Sequence, residues 1–548
     1  LRRLVRTSPV LSLRLRPTMR AVASVVDPAE WILVAIVALV ILWFAWIEWP
    51  GLHSDATFFA PPVINVATGK GWSFGGYLPF FALKGNDLYD FHGLLHILLY
   101  GVLLRCKTWE SLSIWMGVVN AFTFLLYYVL YRRCLRISEI GIPFLAVLFA
   151  IVPVVIAIGL QGRPEQLALP LMALPLLLHG RVQPYGAWLR ASGAITGLVG
   201  LASPLLGAVY AAGLIIASWI LDPQTVLQRL LHIAMALLIL VLTVVLLIGA
   251  FTPYDALSWA LRTVQTGSMA FDSRKFLFGF WAYRWGFTII APLWNLFTIC
   301  ALGVSAWALA RLRYFLPLVF GVMVIMLATP RMLDYGFLPF LPLALCGLCY
   351  RNTYISFADK WFPDQRFLLK LASIWSLLFA YVMVAWLVIS IHPGVHFHSA
   401  ATSRLALEQW LPCELREDGS VAVGYQGLHR PNPIVLLDPK IHAIDIRIRP
   451  EQRVQASRGE MAKLERYENA TGAKVEYYLF QQKYPFLRAD LPSVLSIGGR
   501  IFHLIDDNWT DSYSPVEKLV RPRDLPNDFR LALFRSVDAD RPVPETGE

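Results

Sequence analysis

Long apolar runs alternate with short polar breaks as far as residue 391, and only then does the chain turn to ordinary mixed sequence. Apolar runs of roughly 18 or more residues are long enough to cross a bilayer as helices. In order they predict spans at about 31–49, 110–131, 140–160 and 167–179, a hairpin over 191–220 turning near Ser203-Pro204, a span at about 233–251, and four later spans ending with 371–391. FHGLLHILLYGVLLR, 91–105, is apolar but short, and reads as an interfacial helix rather than a span. That choice sets sidedness. With 91–105 lying flat, Arg132, Arg133 and Arg136, Arg181 and Arg190, Arg229, Arg311 and Arg313, and the basic residues of 351–370 all fall on one face, expected to be the cytoplasmic one.

The tail carries strand-like runs (SVAVGY, NPIVLLD, HAIDIRI, KVEYYLF, RIFHLI), a helix at 451–468 and Pro-rich breaks, which predicts a soluble α/β unit. The expected fold class is an all-α polytopic membrane protein of about 11 transmembrane helices with a C-terminal α/β periplasmic domain. The expected divisions are a basic cytoplasmic arm over 1–29, a membrane domain over 30–392 and the soluble domain over 393–548. An outer loop with juxtamembrane helices, 50–108, belongs to the membrane domain. The first apolar segment has a basic start and no clear small-residue cleavage site, so it reads as an uncleaved first span. A bacterial inner membrane is the expected location.

Composition agrees with this pattern. Of 548 residues, 57% are hydrophobic and 16% charged, which excludes an ordinary soluble protein. A net charge of +11 suggests nucleic acid at first sight. The basic residues lie mostly in short loops between apolar runs, so membrane orientation accounts for them and no nucleic-acid partner is expected. Six cysteines without a CxxC carry no metal signature, and no metal or cofactor is expected. Cys106 and Cys413 fall on the same expected side, either as a disulfide or as separate thiols.

The expected outer loops collect a particular set of ionisable residues: Asp55, Asp87, Asp90, Glu165, Asp255, Asp272 and Asp334, with Lys70, Lys84, Arg163, Arg262, Arg274, Lys275, Arg284 and Arg331. A carboxylate can serve as general base to a hydroxyl. A guanidinium fork matches phosphate oxygens. Acid and base on one membrane face suit transfer from a lipid-linked phosphate donor. Bland readings stand beside each of these. Asp55 after Ser54 suits a helix N-cap. Arg163 and Glu165 flank Pro164, as a surface pair at a helix start would. Arg331 is placed to neutralise Asp334, and Arg274-Lys275 to meet lipid head groups. His53 and His92 suit metal ligands or ordinary hydrogen bonding. Trp72 or Tyr77 suits sugar stacking, or an interfacial aromatic belt.

One arrangement of residues resembles a known family. A first span, then Asp55, Ala60, Gly69 and Gly71-Trp72 resembles the opening of the GT-C superfamily of integral-membrane glycosyltransferases. QGRPEQLALPLMALPL, with Arg163, Pro164 and Glu165, resembles that family's outer turn after span 3. TPRMLDYGFLPFLPLAL, with Arg331 and Tyr335, resembles its late turn, and His92 matches a juxtamembrane histidine. The resemblance covers roughly residues 30–390 and is similar in style to protein O-mannosyltransferases, aminoarabinose transferases and arabinofuranosyltransferases. It departs at Ala56, where the family has a second acid, and in ASPLLG, which lacks the family's lysine. It implies an inverting transferase that moves a sugar from a polyprenyl-phosphate donor to a glycan, lipid or protein hydroxyl. Asp55 is its expected base. Arg163, Glu165, Arg274, Lys275, Arg284, Arg331, Tyr335, His92 and Asp90 are its expected substrate- and phosphate-contacting set. Expected partners are membrane lipids, the lipid-linked donor, an acceptor and members of a membrane complex. The alternative is a catalytically silent membrane scaffold or a subunit that translocates a lipid-linked glycan.

Overall fold

In the computed structural model of the chain, the described residues are 28–46, 56–72, 92–137, 144–160, 162–179, 181–182, 184–222, 224–268, 342–343, 346, 422–427, 442–445, 464–465, 468–469, 474–483, 491–497, 500–510 and 529–537. Nine α-helices occur among them: α1 Pro28–Trp46, α2 Ala56–Ala67, α3 Trp109–Ile137, α4 Leu145–Gly159, α5 Glu165–Leu178, α6 Tyr185–Ala202, α7 Pro204–Leu221, α8 Val226–Phe251 and α9 Ala256–Ser268. A short π-helix, Ile97–Leu103, precedes α3. Among the described residues, three helices are long and apolar enough to cross a membrane: Pro28–Trp46, Trp109–Leu135 and Val226–Phe251. Leu145–Ile158, Glu165–Leu178 and Pro204–Ile215 are shorter apolar helices.

Local chemistry fixes the helix starts. Thr108 and Ser111 exchange backbone-to-hydroxyl bonds at the head of α3. Thr225 and Gln228 form a capping box at the head of α8. Pro204 opens α7, where a missing N–H costs nothing. Asp255 accepts the Ser258 N–H at 2.7 Å and caps α9.

Contacts at opposite ends show that α1 and α3 run antiparallel. At one end Glu30 of α1 lies 3.3 Å from Arg132 and accepts the Tyr128 hydroxyl. At the other, Ser113 of α3 donates to Ala45 O of α1. α5 runs parallel to α3. Gln166 in its first turn donates to Met116 O and Asn120 Oδ1. Arg133 donates to Leu177 O and His179 O at its far end. α6 packs closely on α8: a Cβ added at Gly193 would lie 2.3 Å from Ala236 O.

The stretch 92–106 starts and finishes at the end of the bundle where α3 begins. His92 meets Glu165 there, and Trp109 follows. Helix over residues 95–103 is far too short to cross roughly 30 Å of hydrocarbon. It does not lie as an isolated interfacial helix, however. Leu94, Ile97, Leu98, Tyr100 and Gly101 are buried, and Gly101 packs on Val63 and Val66 of α2.

The expected spans at 110–131, 140–160, 167–179 and 233–251 coincide with α3, α4, α5 and α8, and Ser203 is the turn between α6 and α7. The loop expected from residue 252 instead carries α9. The four later spans lie outside the described residues, apart from 342–343 and 346. In the tail, a six-stranded mixed sheet has the order β2-β1-β3-β6-β5-β4. Its strands are β1 Ala422–Gly427, β2 His442–Asp445, β3 Val475–Lys483, β4 Val494–Ile497, β5 Arg500–Thr510 and β6 Phe529–Ser536. β1 pairs in parallel with β2 and β3, and the other pairings are antiparallel. The sequence runs anticipate β1, β2, β3 and β5, whereas β4 and β6 are additional. NPIVLLD lies outside the described residues.

Candidate functional site

The end of the bundle where α3, α5 and α9 begin brings together His92, Glu165 and Arg163. α5 starts at Glu165, so its first carboxylate sits at a helix N-terminus, where a negative charge is favoured. Arg163, two residues earlier, turns its guanidinium onto that carboxylate through two bonds. Nε donates to Oε2 and Nη2 to Oε1, each at 3.1 Å. Both side chains are buried, at 7% and 6% exposure. The surface-pair reading of the sequence is therefore replaced by a buried fork. Taking two charges out of water is tolerable only when each is paired with good geometry.

His92 completes the group. Its Nε2 lies 3.4 Å from Glu165 Oε1, and its side chain is the more exposed of the two, at 24% against 6%. Its Nδ1 accepts the Gly93 N–H at 2.8 Å. In the neutral ring the proton therefore sits on Nε2, facing the carboxylate. Burial alone would raise the Glu165 pKa. The Arg163 and His92 charges and the guanidinium bonds outweigh burial and hold it at about 2.

Two neighbours fix this arrangement from behind. Phe59 of α2 stands edge-on to His92 at 5.2 Å and to His96 at 5.7 Å, and the Arg163 guanidinium lies 5.6 Å from its ring centre. Gly93 abuts the end of α6: a Cβ there would fall within the Ala202 carbonyl, at 1.9 Å from its oxygen. Only glycine lets His92 reach Glu165 past that helix end. His96, one turn on, is buried, and burial followed by the His92 charge lowers its pKa to about 3, so it is neutral.

α9 closes the other flank. Trp259 Nε1 donates to His92 O at 3.1 Å. Tyr254 donates its hydroxyl to Trp72 O at 3.3 Å, with the two rings edge-on at 5.7 Å. Trp72 follows α2 through a turn that explains one glycine of the GKGW run. Lys70 N bonds to Asn65 O, Gly69 N bonds to Val66 O, and Gly69 has φ +80°, a glycine C-cap of the Schellman type.

Of the expected site residues, the structure brings His92, Arg163 and Glu165 together. Asp55, Asp90, Arg274, Lys275, Arg284, Arg331 and Tyr335 lie outside the described residues, as does His53. α2 starts at Ala56, the residue after Asp55, and carries Phe59 into the cluster. Cys106 is a buried free thiol, raised by burial to about 11, and Cys413 lies outside the described residues. Among the described residues no three His, Cys, Asp or Glu side chains gather into a metal-holding group. Sequence reading missed His96, Phe59, Tyr254 and Trp259. The four-residue spacing of His92 and His96, which a helix would turn to one face, was the available signal, although helix here begins only at residue 95.

No family model matches the chain, and no curated protein matches it. Solved structures similar to it include ArnT from Cupriavidus metallidurans bound to undecaprenyl phosphate, at 12% identity and TM-score 0.46, covering 94% of this chain and 100% of that one. The arabinofuranosyltransferase AftD from Mycobacteria is similar at 16% identity and TM-score 0.41, over 93% of this chain and 40% of AftD. The archaeal oligosaccharyltransferase AglB from Archaeoglobus fulgidus, in complex with an inhibitory peptide and a dolichol-phosphate, is similar at 12% identity and TM-score 0.43, over 83% and 69%. The chemistry has to come from this chain's own residues.

Proposed function

We propose that the chain is a membrane glycosyltransferase that moves a sugar from a polyprenyl-phosphate donor to a hydroxyl, with its site on the membrane face away from the cytoplasm. The observation that carries the reading is the buried Arg163–Glu165 fork with His92 at its solvent edge, at the end of an apolar helical bundle where α2 begins one residue after Asp55. Buried ion pairs at a membrane protein's helix ends are expensive and mark functional regions.

In the proposed reaction Asp55 takes the proton of the acceptor hydroxyl. The acceptor oxygen then attacks the anomeric carbon, the carbon–oxygen bond to phosphate breaks, and its electron pair leaves with polyprenyl phosphate. Attack opposite the phosphate inverts the anomeric centre. Arg274, Lys275, Arg284 and Arg331 receive the departing phosphate, with Tyr335 and Asp90 as further substrate contacts. Glu165 serves as a positioning residue, because the Arg163 fork and His92 occupy its oxygens. It holds His92 at the mouth of the site. The bundle runs from a cytoplasmic end, at Glu30 and Arg132, to the site end, and the C-terminal α/β unit lies on the site's side, where it positions an acceptor. ArnT and AglB were solved with undecaprenyl phosphate and a dolichol-phosphate, and the proposed donor is of the same lipid class.

Purified full-length protein with a radiolabelled polyprenyl-phosphate sugar tests this. Asp55→Asn is expected to lower transfer by at least about 100-fold, the scale of a lost general base, with the melting temperature unchanged. Wild-type-level transfer by that variant refutes Asp55 as base, and the absence of any transfer by the wild-type protein to glycan, lipid or peptide acceptors refutes the activity.

A further inference from the structure

We infer that the Gly69–Trp72 turn and Tyr254 form a sugar-ring subsite, which deepens the glycosyl-transfer reading and rests on it. Trp72 and Tyr254 are partly buried and meet edge-on, at 83° between ring planes. The Tyr254 hydroxyl is spent on the Trp72 backbone carbonyl, which holds the tyrosine ring against the turn. Among the described residues, a Cβ at Gly69 or at Gly71 would meet nothing within 4 Å, and Lys70 is exposed between them. Both glycines hold left-handed φ, +80° and +87°, so the backbone here is bare of side chains by conformational demand. A sugar ring has an apolar C–H face and a polar rim. A rigid indole beside an uncluttered backbone offers a flat apolar surface next to N–H and C=O groups, the mixture such a ring needs.

Position supports the assignment. Trp259, five residues after Tyr254, donates to His92 O. One short stretch, residues 254–259, therefore touches both the aromatic pair and His92, the exposed edge of the His92–Glu165–Arg163 group. The sugar ring is either that of the lipid-linked donor or that of a glycan acceptor, and the two sources give different results below.

Affinities of the full-length protein in lipid nanodiscs would be measured for three probes: undecaprenyl phosphate, undecaprenyl phosphate carrying a single pentose or hexose, and the corresponding free oligosaccharide. The expected result is that the wild-type protein holds a sugar-bearing probe, and that Trp72→Ala weakens it by at least tenfold while leaving bare undecaprenyl phosphate unchanged. Trp72→Tyr, which keeps an aromatic face, is expected to restore most of the loss, and Tyr254→Phe to lose a few-fold. Loss on the sugar-bearing lipid assigns the donor ring, and loss on the oligosaccharide assigns the acceptor. Equal weakening of bare and sugar-bearing lipid, or no weakening, overturns the subsite. If the wild-type protein binds neither lipid, the glycosyl-transfer reading fails by itself, and the oligosaccharide arm decides the subsite: binding that Trp72→Ala removes supports it, and no binding overturns it.

Discussion

At the level of single residues, the Arg163–Glu165 fork sets the stability of the site. Glu165→Ala leaves a guanidinium buried at 7% exposure without its carboxylate, a change that costs roughly 3–5 kcal/mol. Replacing both residues with methionine removes the charge as well as the pair, and is expected to cost far less. Thermal unfolding of the two variants separates these outcomes; equal losses would mean that packing rather than charge is at stake. Acid should weaken the folded state in two stages. The folded pKa of His96 is near 3 against 6.5 when exposed, so the unfolded chain binds the extra proton and stability falls as pH drops from about 6.5. Glu165 stays ionised in the fold down to about 2 against 4.5, so its contribution is intact above 4.5 and lost between 4.5 and 2. His96→Phe is therefore expected to remove its share of the slope between about pH 6.5 and 3, at most about 1.4 kcal/mol per pH unit, and to leave the Glu165 contribution between 4.5 and 2. An unchanged slope between pH 6.5 and 4.5 in that variant would remove His96 from the account.

Among the helices, close approach rather than apolar pattern decides what can change. Gly193 and Gly197 let α6 reach the backbone of α8 at Ala236 and Leu240. Gly193→Ala pushes a methyl group against the Ala236 carbonyl and is expected to destabilise by roughly 1–3 kcal/mol. Gly249→Ala, on the same α8 but with nothing within 4 Å, is expected to be neutral or stabilising by up to about 1 kcal/mol. Melting temperatures in one detergent compare them directly. Periodicity and length made α3, α4, α5 and α8 legible in the sequence, because lipid tolerates only long, internally bonded apolar segments. It did not reveal α9, whose apolar run ALSWAL is only six residues long before RTVQTGS, too short to stand out beside the long apolar segments. β4 was hidden for another reason: a four-residue strand carries too little alternation to stand out. Within the site, the RPE spacing made Arg163 and Glu165 visible as a pair, but nothing in it distinguishes a surface pair from a buried one. That difference comes from Phe59 and Gly93, which belong to other segments.

For the whole molecule, the proposed sidedness has a direct check. Lys107 is exposed at the site end and Gln224 at the opposite end. Lys107→Cys, in a background without the native cysteines, should react with a membrane-impermeant maleimide added to intact cells, whereas Gln224→Cys should react only after lysis. The reverse pattern would put the site on the cytoplasmic face and remove the lipid-linked donor from reach.

α5 bears on how such a site is entered. Its backbone is interrupted by Pro170 and Pro175, and its carbonyls are claimed by neighbours along its length: Leu169 by Tyr127, Met172 by Tyr210, Pro175 by Trp188, Leu177 and His179 by Arg133. A rod bolted at five points to three other helices cannot piston. In the proposed reaction, a passage for the donor's lipid tail would therefore come from elements swinging aside around α5, with the acid at its tip held in place.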